Sequence, residues 1–230
     1  MFSFLTWNVA MMRRSSEAPF EWTIEHSEEA IRAFVVERDP DIVCFQELPG
    51  MVPYVGSHVL VPVHTRSHNG DIAILVRSGL EVDATFRTEQ GFAVVVEFSD
   101  FTFANVHLAP GSDGAMTRLA MMHQILADVV QPLVVVGDTN MRMAEWDLMA
   151  ELGFTIVKPP VPTWNSRSNR FNEEGAEYTA YYTNAMARGK IEIGDLEVWT
   201  EPVEYLDKSF HLSDHYPLTG SVEAAAGYRT

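Results

Sequence analysis

The sequence is short of the residues that form disulfide frameworks, thiolate metal clusters and membrane spans. Its 230 residues contain one cysteine, Cys44, which excludes an intramolecular disulfide and a cluster of thiolate ligands. Within DIVCFQ this cysteine is expected to be a small buried residue. No apolar run approaches the roughly 20 residues that cross a bilayer, and the start, MFSFLTWNVA, lacks the basic segment of a signal peptide. We therefore expect a cytoplasmic protein without a membrane-inserted segment.

Positive charge is also scarce. Sixteen Lys and Arg face 32 Asp and Glu, so the formal net charge is −16. A protein that grips many phosphates along a nucleic acid needs Lys and Arg for that contact, so this balance argues against an extended basic face. A local phosphate site is still compatible with it, because a divalent cation in an acidic cleft reverses the local charge.

Short apolar runs recur along the chain, and their length, β-branched content and flanking turn residues favour strands over helices. The runs are FSFLTW, DIVCFQ, HVLVPV, DIAILV, FAVVVEF, FTFANV, PLVVVG, KIEIGDLEVW and YPLTGSV. Residues 92–98 and 101–106 flank Ser99 and Asp100, which predicts an antiparallel hairpin.

Helical spacing occurs in three places. Apolar residues at 30, 31, 34 and 35 predict a helix that Ser27 caps and that ends before Pro40. A third, shorter helix is expected from about residue 144 to 152, ending at Gly153. The second helix is expected to pack through one face, formed by Met116, Leu119, Ala120, His123, Leu126, Ala127 and Val130.

Many strands with few helices predict the α+β class, with two packed sheets that helices cover. No low-complexity linker or shift in composition divides the chain. Residues 1–230 are therefore expected to form one domain, which we expect to act as a monomer.

Five predicted strands carry polar residues at one end, where a rigid element can hold functional side chains. These residues are Asn8, Glu47, His107, the pair Asp138 and Asn140, and the pair Asp214 and His215 just before YPLTGSV. Each alone fits an ordinary turn or strand end. Together they form an oxygen-rich set without cysteine, which suits Mg²⁺ or Mn²⁺ better than a closed zinc site.

The short motifs TWN, QE, NVHL, GDTN and SDH follow one another over residues 6–218, with GDIAIL and an H…SDG…R stretch between them. In this order they resemble the endonuclease/exonuclease/phosphatase superfamily, metal-dependent phosphodiesterases that share the DNase I-like fold. GDTN in place of the commoner GDFN resembles the tyrosyl-DNA phosphodiesterase branch. The resemblance implies a four-layer α/β/β/α sandwich and a Mg²⁺ or Mn²⁺ cofactor.

The resemblance also implies which strand ends lie at the metal. Glu47 would be the principal ligand. Asn8 and Asp214 would lie near the same metal or at a second metal position. The sequence leaves the number of metals open.

The remaining strand ends would serve the reaction itself. Asp138 would orient and deprotonate the attacking water, and Asn140 would hold Asp138 or a phosphate oxygen. His107 and His215 would donate to the phosphoryl group as its charge grows. Whether Asp138 or His215 is the base stays open, because a base is identified by geometry first.

One part of the family pattern is missing. Family members carry an Asp, in a strand before the final Asp-His pair, that orients the histidine. The corresponding stretch EYTAYYTNA has Thr179 or Ala180 at the expected place. A histidine without a carboxylate partner has a less fixed tautomer, so a weakened enzyme that serves as a binding module is an alternative. The candidate replacements from other segments are Glu177, Glu192 and Asp195.

The longest stretch without periodicity, residues 158–177, is the expected specificity element. Trp164, Arg167, Asn169 and Arg170 combine a stacking surface with cations, which suits a nucleotide or an aromatic phosphoester. The alternative is a solvated loop with Trp164 packed onto the core.

The predicted substrate is a nucleic acid or nucleotide-like phosphoester, with DNA or RNA contacted in short or single-stranded form. The alternative is a small or lipid phosphoester of the inositol phosphate type.

Overall fold

The structure is a computed structural model that describes residues 1–12, 17–62, 70–129, 132–169 and 177–224, and the backbone of residues 65–67. Within these ranges the α-helices are α1 (Ile24–Arg38), α2 (Ala115–Asp128) and α3 (Trp146–Glu151). Short 3₁₀ turns occupy Ala10–Met12, Met143–Glu145 and Ser166–Ser168. No described helix is both long enough and apolar enough to span a bilayer.

The strands of the described residues occur throughout the chain. In chain order they are β1 (Phe2–Asn8), β2 (Ile42–Leu48), β3 (His58–Leu60), β4 (Thr65–Ser67), β5 (Gly70–Arg77), β6 (Ala84–Arg87), β7 (Ala93–Glu97), β8 (Thr102–His107), β9 (Leu133–Asp138), β10 (Phe154–Val157), β11 (Trp164–Asn165), β12 (Thr179–Ala180), β13 (Thr183–Arg188), β14 (Ile191–Val198), β15 (Val203–Tyr205), β16 (Lys208–Phe210) and β17 (Leu218–Ala224). Each of the nine predicted apolar runs contains a strand, although only His58–Leu60 of HVLVPV is one, and the predicted hairpin is β7 with β8.

Two large mixed sheets contain most of these strands. The first has the order β14-β17-β1-β2-β5-β3, with β4 also paired to β5, and the second has the order β10-β13-β9-β8-β7-β6. Among the described strands, β1 with β2 and β8 with β9 are the parallel neighbours. Parallel strands end at the same edge of a sheet. Each sheet therefore brings two carboxyl ends together.

The sheets pack face to face over an apolar core, and helices cover their outer faces. Residues such as Phe4 and Phe103 are buried between the sheets. On the outside, α1 packs through Ile31 and Val35 on the first sheet. Helices α2 and α3 pack on the second sheet, α2 through Met122 among others. This confirms the predicted four-layer α/β/β/α sandwich of the α+β class.

Helix α1 begins one turn earlier than predicted. Its N-cap is Thr23, and Ser27 lies inside the helix. Ser27 is buried because its hydroxyl accepts a hydrogen bond of 2.7 Å from the indole Nε1 of Trp22. The helix ends at Asp39, in a left-handed conformation just before Pro40, as predicted.

The predicted packing face of helix α2 is correct at Leu119 and Leu126, which pack against the core, but it misses the most buried residues, and Val130 lies outside the described residues. The buried face contains Arg118, Met122 and Ile125, whereas Met116 is 70% exposed. The sequence pattern did not indicate this face because Arg118 is charged, and charged side chains usually lie on the solvent side of a helix. Arg118 is buried because Glu145 neutralises its guanidinium across a 2.7 Å ion pair.

Candidate active site

The polar strand ends that the sequence singles out meet at one edge of the sandwich. In the first sheet Asn8, at the end of β1, lies in register with Gln46 of β2. In the second sheet His107, at the end of β8, lies in register with Asp138 of β9. Contacts between β1 and β9 and between β2 and β9 close the space between the sheets. The site is therefore assembled from the carboxyl ends of the two parallel pairs.

Glu47 reaches this site because the end of β2 is irregular. The pairing of β2 with β5 shifts register between Phe45 and Leu48, and Glu47 has a left-handed φ of 53°. Such a bulge re-aims a side chain that strict alternation would point elsewhere. Gly70 packs against this backbone, because a Cβ at Gly70 would lie 2.8 Å from the Glu47 Cα.

Asn8 joins the two acidic groups of the site. Its Nδ2 donates to Oε1 of Glu47 at 3.0 Å and to Oδ2 of Asp138 at 2.9 Å. His107 Nε2 lies 3.6 Å from each of these oxygens. One ligand atom each from Glu47, His107 and Asp138 can be chosen so that all lie within 4.8 Å of one another. This group has the size and donor types of a cation site.

Asp138 is held on both oxygens. Its Oδ1 accepts the backbone N–H of Asn140 at 3.0 Å, while Oδ2 accepts from Asn8. The Asn140 side chain donates to the carbonyl of Leu108 at 3.0 Å. Asn140 thus orients Asp138 through its backbone, and its contact with a phosphate oxygen stays a prediction.

Gly137 allows β9 to pass close to its neighbour. A Cβ at Gly137, whose φ is +130°, would lie 2.2 Å from the carbonyl oxygen of Val106. Any other residue would have to move one of the two strands that carry His107 and Asp138.

His215 lies close to the same oxygen of Asp138. Its Nε2 lies 3.5 Å from Oδ2 of Asp138. Its backbone is fixed as well, since Trp7 Nε1 donates to the His215 carbonyl at 3.0 Å and the His215 N–H donates to Ser213 Oγ at 3.1 Å. The catalytic candidates His107, Asp138 and His215 are therefore brought together.

The place of the missing carboxylate partner of His215 is taken by Thr183, not by Thr179 or Ala180. The Thr183 hydroxyl lies 3.3 Å from His215 Nδ1, and Thr183 lies opposite Asp138 in the sheet. None of the suggested replacements is within ion-pair distance of His215, since Asp138 alone of the described carboxylates is. Instead, Glu177 accepts from Asn165.

Asp214 is not a member of the group formed by Glu47, His107 and Asp138. Its Oδ2 accepts hydrogen bonds from Trp164 Nε1 at 2.7 Å and from Asn169 Nδ2 at 2.8 Å. The structure therefore connects Asp214 to the loop before β12, and its position at a metal stays a prediction.

The stacking role of Trp164 needs correction. Trp164 is only 6% exposed, and its ring centroid lies 5.0 Å from that of Tyr178 and 5.3 Å from that of Tyr182. It is buried because its indole N–H reaches Asp214 while the ring packs on the tyrosines. Arg167 is largely exposed and pairs with Glu17 at 2.8 Å. Arg170 lies outside the described residues.

Sequence reasoning missed a buried polar layer directly below the site. Gln46 Nε2 donates to Thr6 Oγ1 at 2.9 Å and to Asn105 Oδ1 at 2.6 Å. Asn105 donates in turn to the carbonyls of Phe45 and Ala73, beside the bulge that carries Glu47. The sequence contained one indication of this layer, the amide residue in each of the motifs QE and NVHL, which are Gln46 and Asn105.

A second missed feature connects the loops that follow β8 and β9. Arg118 is completely buried and donates through Nε and Nη2 to both oxygens of Glu145. Its Nη1 donates to the carbonyls of Ala109 and Gly111, in the loop after His107. Glu145 follows the Asp138 loop, so the ion pair fixes the two loops relative to each other. In the sequence, the only indication of this ion pair was Arg118 at the end of the H…SDG…R stretch.

Aromatic rings and cations lie beside the Asp138 loop. The guanidinium of Arg142 lies 5.0 Å from the ring centroid of Tyr182, and the Lys158 ammonium lies 5.0 Å from that of Tyr181. The backbone carbonyl of Tyr182 accepts the N–H of Thr139. Two cations therefore lie over the tyrosine rings of the segment that contacts the Asp138 loop.

Solved structures of low sequence identity share this fold. TDP2 of D. rerio, in a complex with single-stranded DNA product, has a TM-score of 0.73 at 15% identity, covering 97% of this chain and 99% of that one. Mannosyl-6-phosphatase of Bacteroides thetaiotaomicron has a TM-score of 0.72 at 15% identity, covering 97% and 100%. An AP endonuclease from Archaeoglobus fulgidus has 0.66 at 14% identity, covering 96% and 99%.

The family assignment comes from a sequence comparison. No curated protein matches the chain significantly. The family model described as "Endonuclease/Exonuclease/phosphatase family" matches residues 5–215, a span that contains every polar strand end of the site. The chain therefore belongs to the endonuclease/exonuclease/phosphatase family and is a phosphoester hydrolase.

Proposed function

We propose that this protein is a Mg²⁺- or Mn²⁺-dependent phosphodiesterase that hydrolyses short or single-stranded nucleic acid or a related nucleotide ester. The observation that carries the proposal is the group Glu47, His107 and Asp138, with Asn8 bonded to both carboxylates. Two carboxylates and two histidines at one phosphate-sized site are a set that hydrolysis of a phosphoester can use.

The donor set fits a hard divalent cation. The acidic oxygens of Glu47 and Asp138 converge on the Asn8 amide and on His107 Nε2, and a bound cation would relieve their mutual repulsion. Glu47 is the proposed principal ligand, with Asn8 beside it. When bound, the ion would neutralise phosphate charge and acidify a coordinated water.

The protein side chains then have separate tasks. Asp138 is fixed on both oxygens, so it is the proposed base that orients and deprotonates the water. His107 and His215 each direct Nε2 toward Asp138 Oδ2. Both rings therefore lie beside the proposed base, and we assign them the donation of hydrogen bonds to phosphoryl oxygens as charge develops.

The substrate proposal rests on the surface beside Asp138. Tyr178 is 58% exposed, and Arg142 and Lys158 lie over neighbouring tyrosine rings. Aromatic faces and cations suit bases and phosphates of an unpaired strand. The net charge of −16 disfavours a long duplex. The fold neighbour TDP2, solved with single-stranded DNA product, agrees with this choice.

The test of the chemistry is hydrolysis of bis-p-nitrophenyl phosphate with Mg²⁺, with Mn²⁺ and with a chelator. Turnover should require the metal. Glu47→Gln should lower it by about a hundredfold or more, because the charge stabilisation supplied by an ion is worth several kcal/mol. Glu81→Gln, at an exposed glutamate that follows the far end of β5 from the site, is the matched control and should leave turnover unchanged. Turnover that is unchanged both by the chelator and by Glu47→Gln would reject the proposal.

A substrate panel separates the competing esters. It contains single- and double-stranded DNA, RNA, a 5′-tyrosyl oligonucleotide, an inositol polyphosphate and a sugar phosphate. The highest kcat/KM is expected on a single-stranded or tyrosyl-linked oligonucleotide. A preference for the inositol or sugar phosphate would assign the protein to the phosphatases, and metal binding without turnover of any ester would favour a binding module.

A further inference from the structure

We propose that Thr183 is the positioning residue of His215 and that its hydroxyl holds the ring with the proton on Nε2; this inference rests on the proposed function. Thr183 is completely buried in β13, and its Oγ1 lies 3.3 Å from His215 Nδ1. The ring thus meets a neutral group at one nitrogen and an acidic group at the other.

The backbone of Thr183 is immobilised by a second threonine. The Thr183 N–H donates to Thr163 Oγ1 at 2.9 Å, and the Thr163 hydroxyl donates to the Thr183 carbonyl at 3.2 Å. The Thr163 carbonyl accepts the N–H of Tyr216, the residue after His215. The two threonines therefore fix both the partner of His215 and the chain that carries it, which leaves the Thr183 hydroxyl for the imidazole.

The geometry at the two ring nitrogens selects one tautomer. Nε2 lies 3.5 Å from Asp138 Oδ2, which accepts hydrogen bonds when it is ionised. A ring protonated on Nε2 has a lone pair on Nδ1, and a hydroxyl can donate to that lone pair. A carboxylate could only accept there and would favour the proton on Nδ1. Thr183 therefore keeps His215 as a hydrogen-bond donor toward the reacting side of the site.

The test compares Thr183→Val, which keeps the shape without the hydroxyl, with Thr183→Ser, which keeps the hydroxyl. Thr183→Val should lower kcat about tenfold, as outer partners of site groups do, with little change in KM. Thr183→Ser should recover most of the loss. In the His215→Ala background Thr183→Val should have no further effect. The matched control is Thr102→Val, since Thr102 is a buried strand threonine whose hydroxyl finds no hydrogen-bond partner among the described residues.

A spectroscopic measurement is independent of turnover. Ring ¹⁵N NMR signals of His215, assigned by difference from His215→Ala, should show the proton on Nε2 in the parent and in Thr183→Ser. They should show a mixed tautomer in Thr183→Val, or in Thr183→Ala should the valine variant not fold. Unchanged signals and undiminished kcat in the hydroxyl-free variants would overturn the inference. The protein could also be inactive on every ester while its His215 tautomer still changes in the variants without the hydroxyl. That result would support the role of Thr183 and reject the proposed function.

Discussion

The interior between the two sheets has two ends that are stabilised by different interactions. At the start of β1, the ring of Phe2 packs against those of Phe98 and Phe101 at centroid distances of 5.6 and 5.3 Å. At the end of the same strand, Asn8 and the polar layer below it depend on hydrogen bonds with defined partners. Apolar contact is non-directional, whereas a buried polar group without its partner is costly. Substitutions at the two ends should therefore change different properties.

The largest effect is expected at the polar end. Asp138→Asn removes the proposed base and its charge, and kcat should fall by about a thousandfold, within the range for a general base. The unfolding midpoint should fall less than in a core variant, because the amide keeps the shape and removes a charge beside Glu47, although its NH₂ must face a donor, either Asn8 Nδ2 or the Asn140 N–H. Steady-state kinetics and thermal unfolding measure the two quantities. Asp207→Asn, at an exposed turn, is the control, and a parent-like kcat for Asp138→Asn would remove Asp138 from the mechanism.

The apolar end should show the opposite result. Phe103 is completely buried, and its ring centroid lies 5.9 Å from that of Phe4. Phe103→Ala should reduce the free energy of unfolding by about 3 to 5 kcal/mol, while kcat of the folded protein stays close to that of the parent. Denaturant unfolding measures the loss. Phe20→Ala, at a residue 85% exposed, should be nearly neutral. A large loss of kcat in Phe103→Ala would show that the two ends are coupled.

A smaller effect on activity is expected where the backbone supports Glu47. Gly70→Ala would place a Cβ 2.8 Å from the Glu47 Cα, so the bulge must shift and kcat should fall about tenfold, as for other groups that support a site. Gly79→Ala is a close control, because Gly79 also has a φ of +96° but nothing within 4 Å of its Cβ position. Both variants share the cost of about 1 to 2 kcal/mol for a side chain in this conformation. Equal kinetics for the two would argue that Glu47 does not depend on Gly70.

The smallest effect concerns stability at low pH, at the opposite edge of the first sheet. Burial alone would raise the pKa of Asp41, but hydrogen bonds from Ser3 and Arg77 outweigh it and hold that pKa below its ordinary value. A lowered folded-state pKa stabilises the protein above the unfolded pKa, and this contribution disappears as the pH falls through the folded pKa. The stability difference between the parent and Asp41→Asn should therefore shrink below about pH 4. Urea unfolding across pH measures it, and a pH-independent difference would contradict the assignment.

Much of this molecule could be predicted from its sequence, because the hydrophobic periodicity of an element and the turn residues that bound it are local features of the chain. Each of the nine apolar runs contains a strand, and of the polar residues at the strand ends Asn8, Glu47, His107, Asp138 and His215 meet in one site. Strand β13, TNAMAR, escaped notice because its residues have weak strand preference, although it pairs with β9 throughout and places Thr183 opposite Asp138. Its conformation comes from the neighbours that it bonds to, which no local pattern records.

By itself, the sequence determined the sandwich class, the family and the set of polar groups at the site. The tertiary structure alone decided which partner each group has: Thr183 at His215, Trp164 buried against Asp214, and Arg118 hidden with Glu145. The physical reason is that burial and hydrogen bonding of a polar side chain depend on residues far away in the chain. Periodicity can place such a residue on an element, but only the packed sheets show what it contacts.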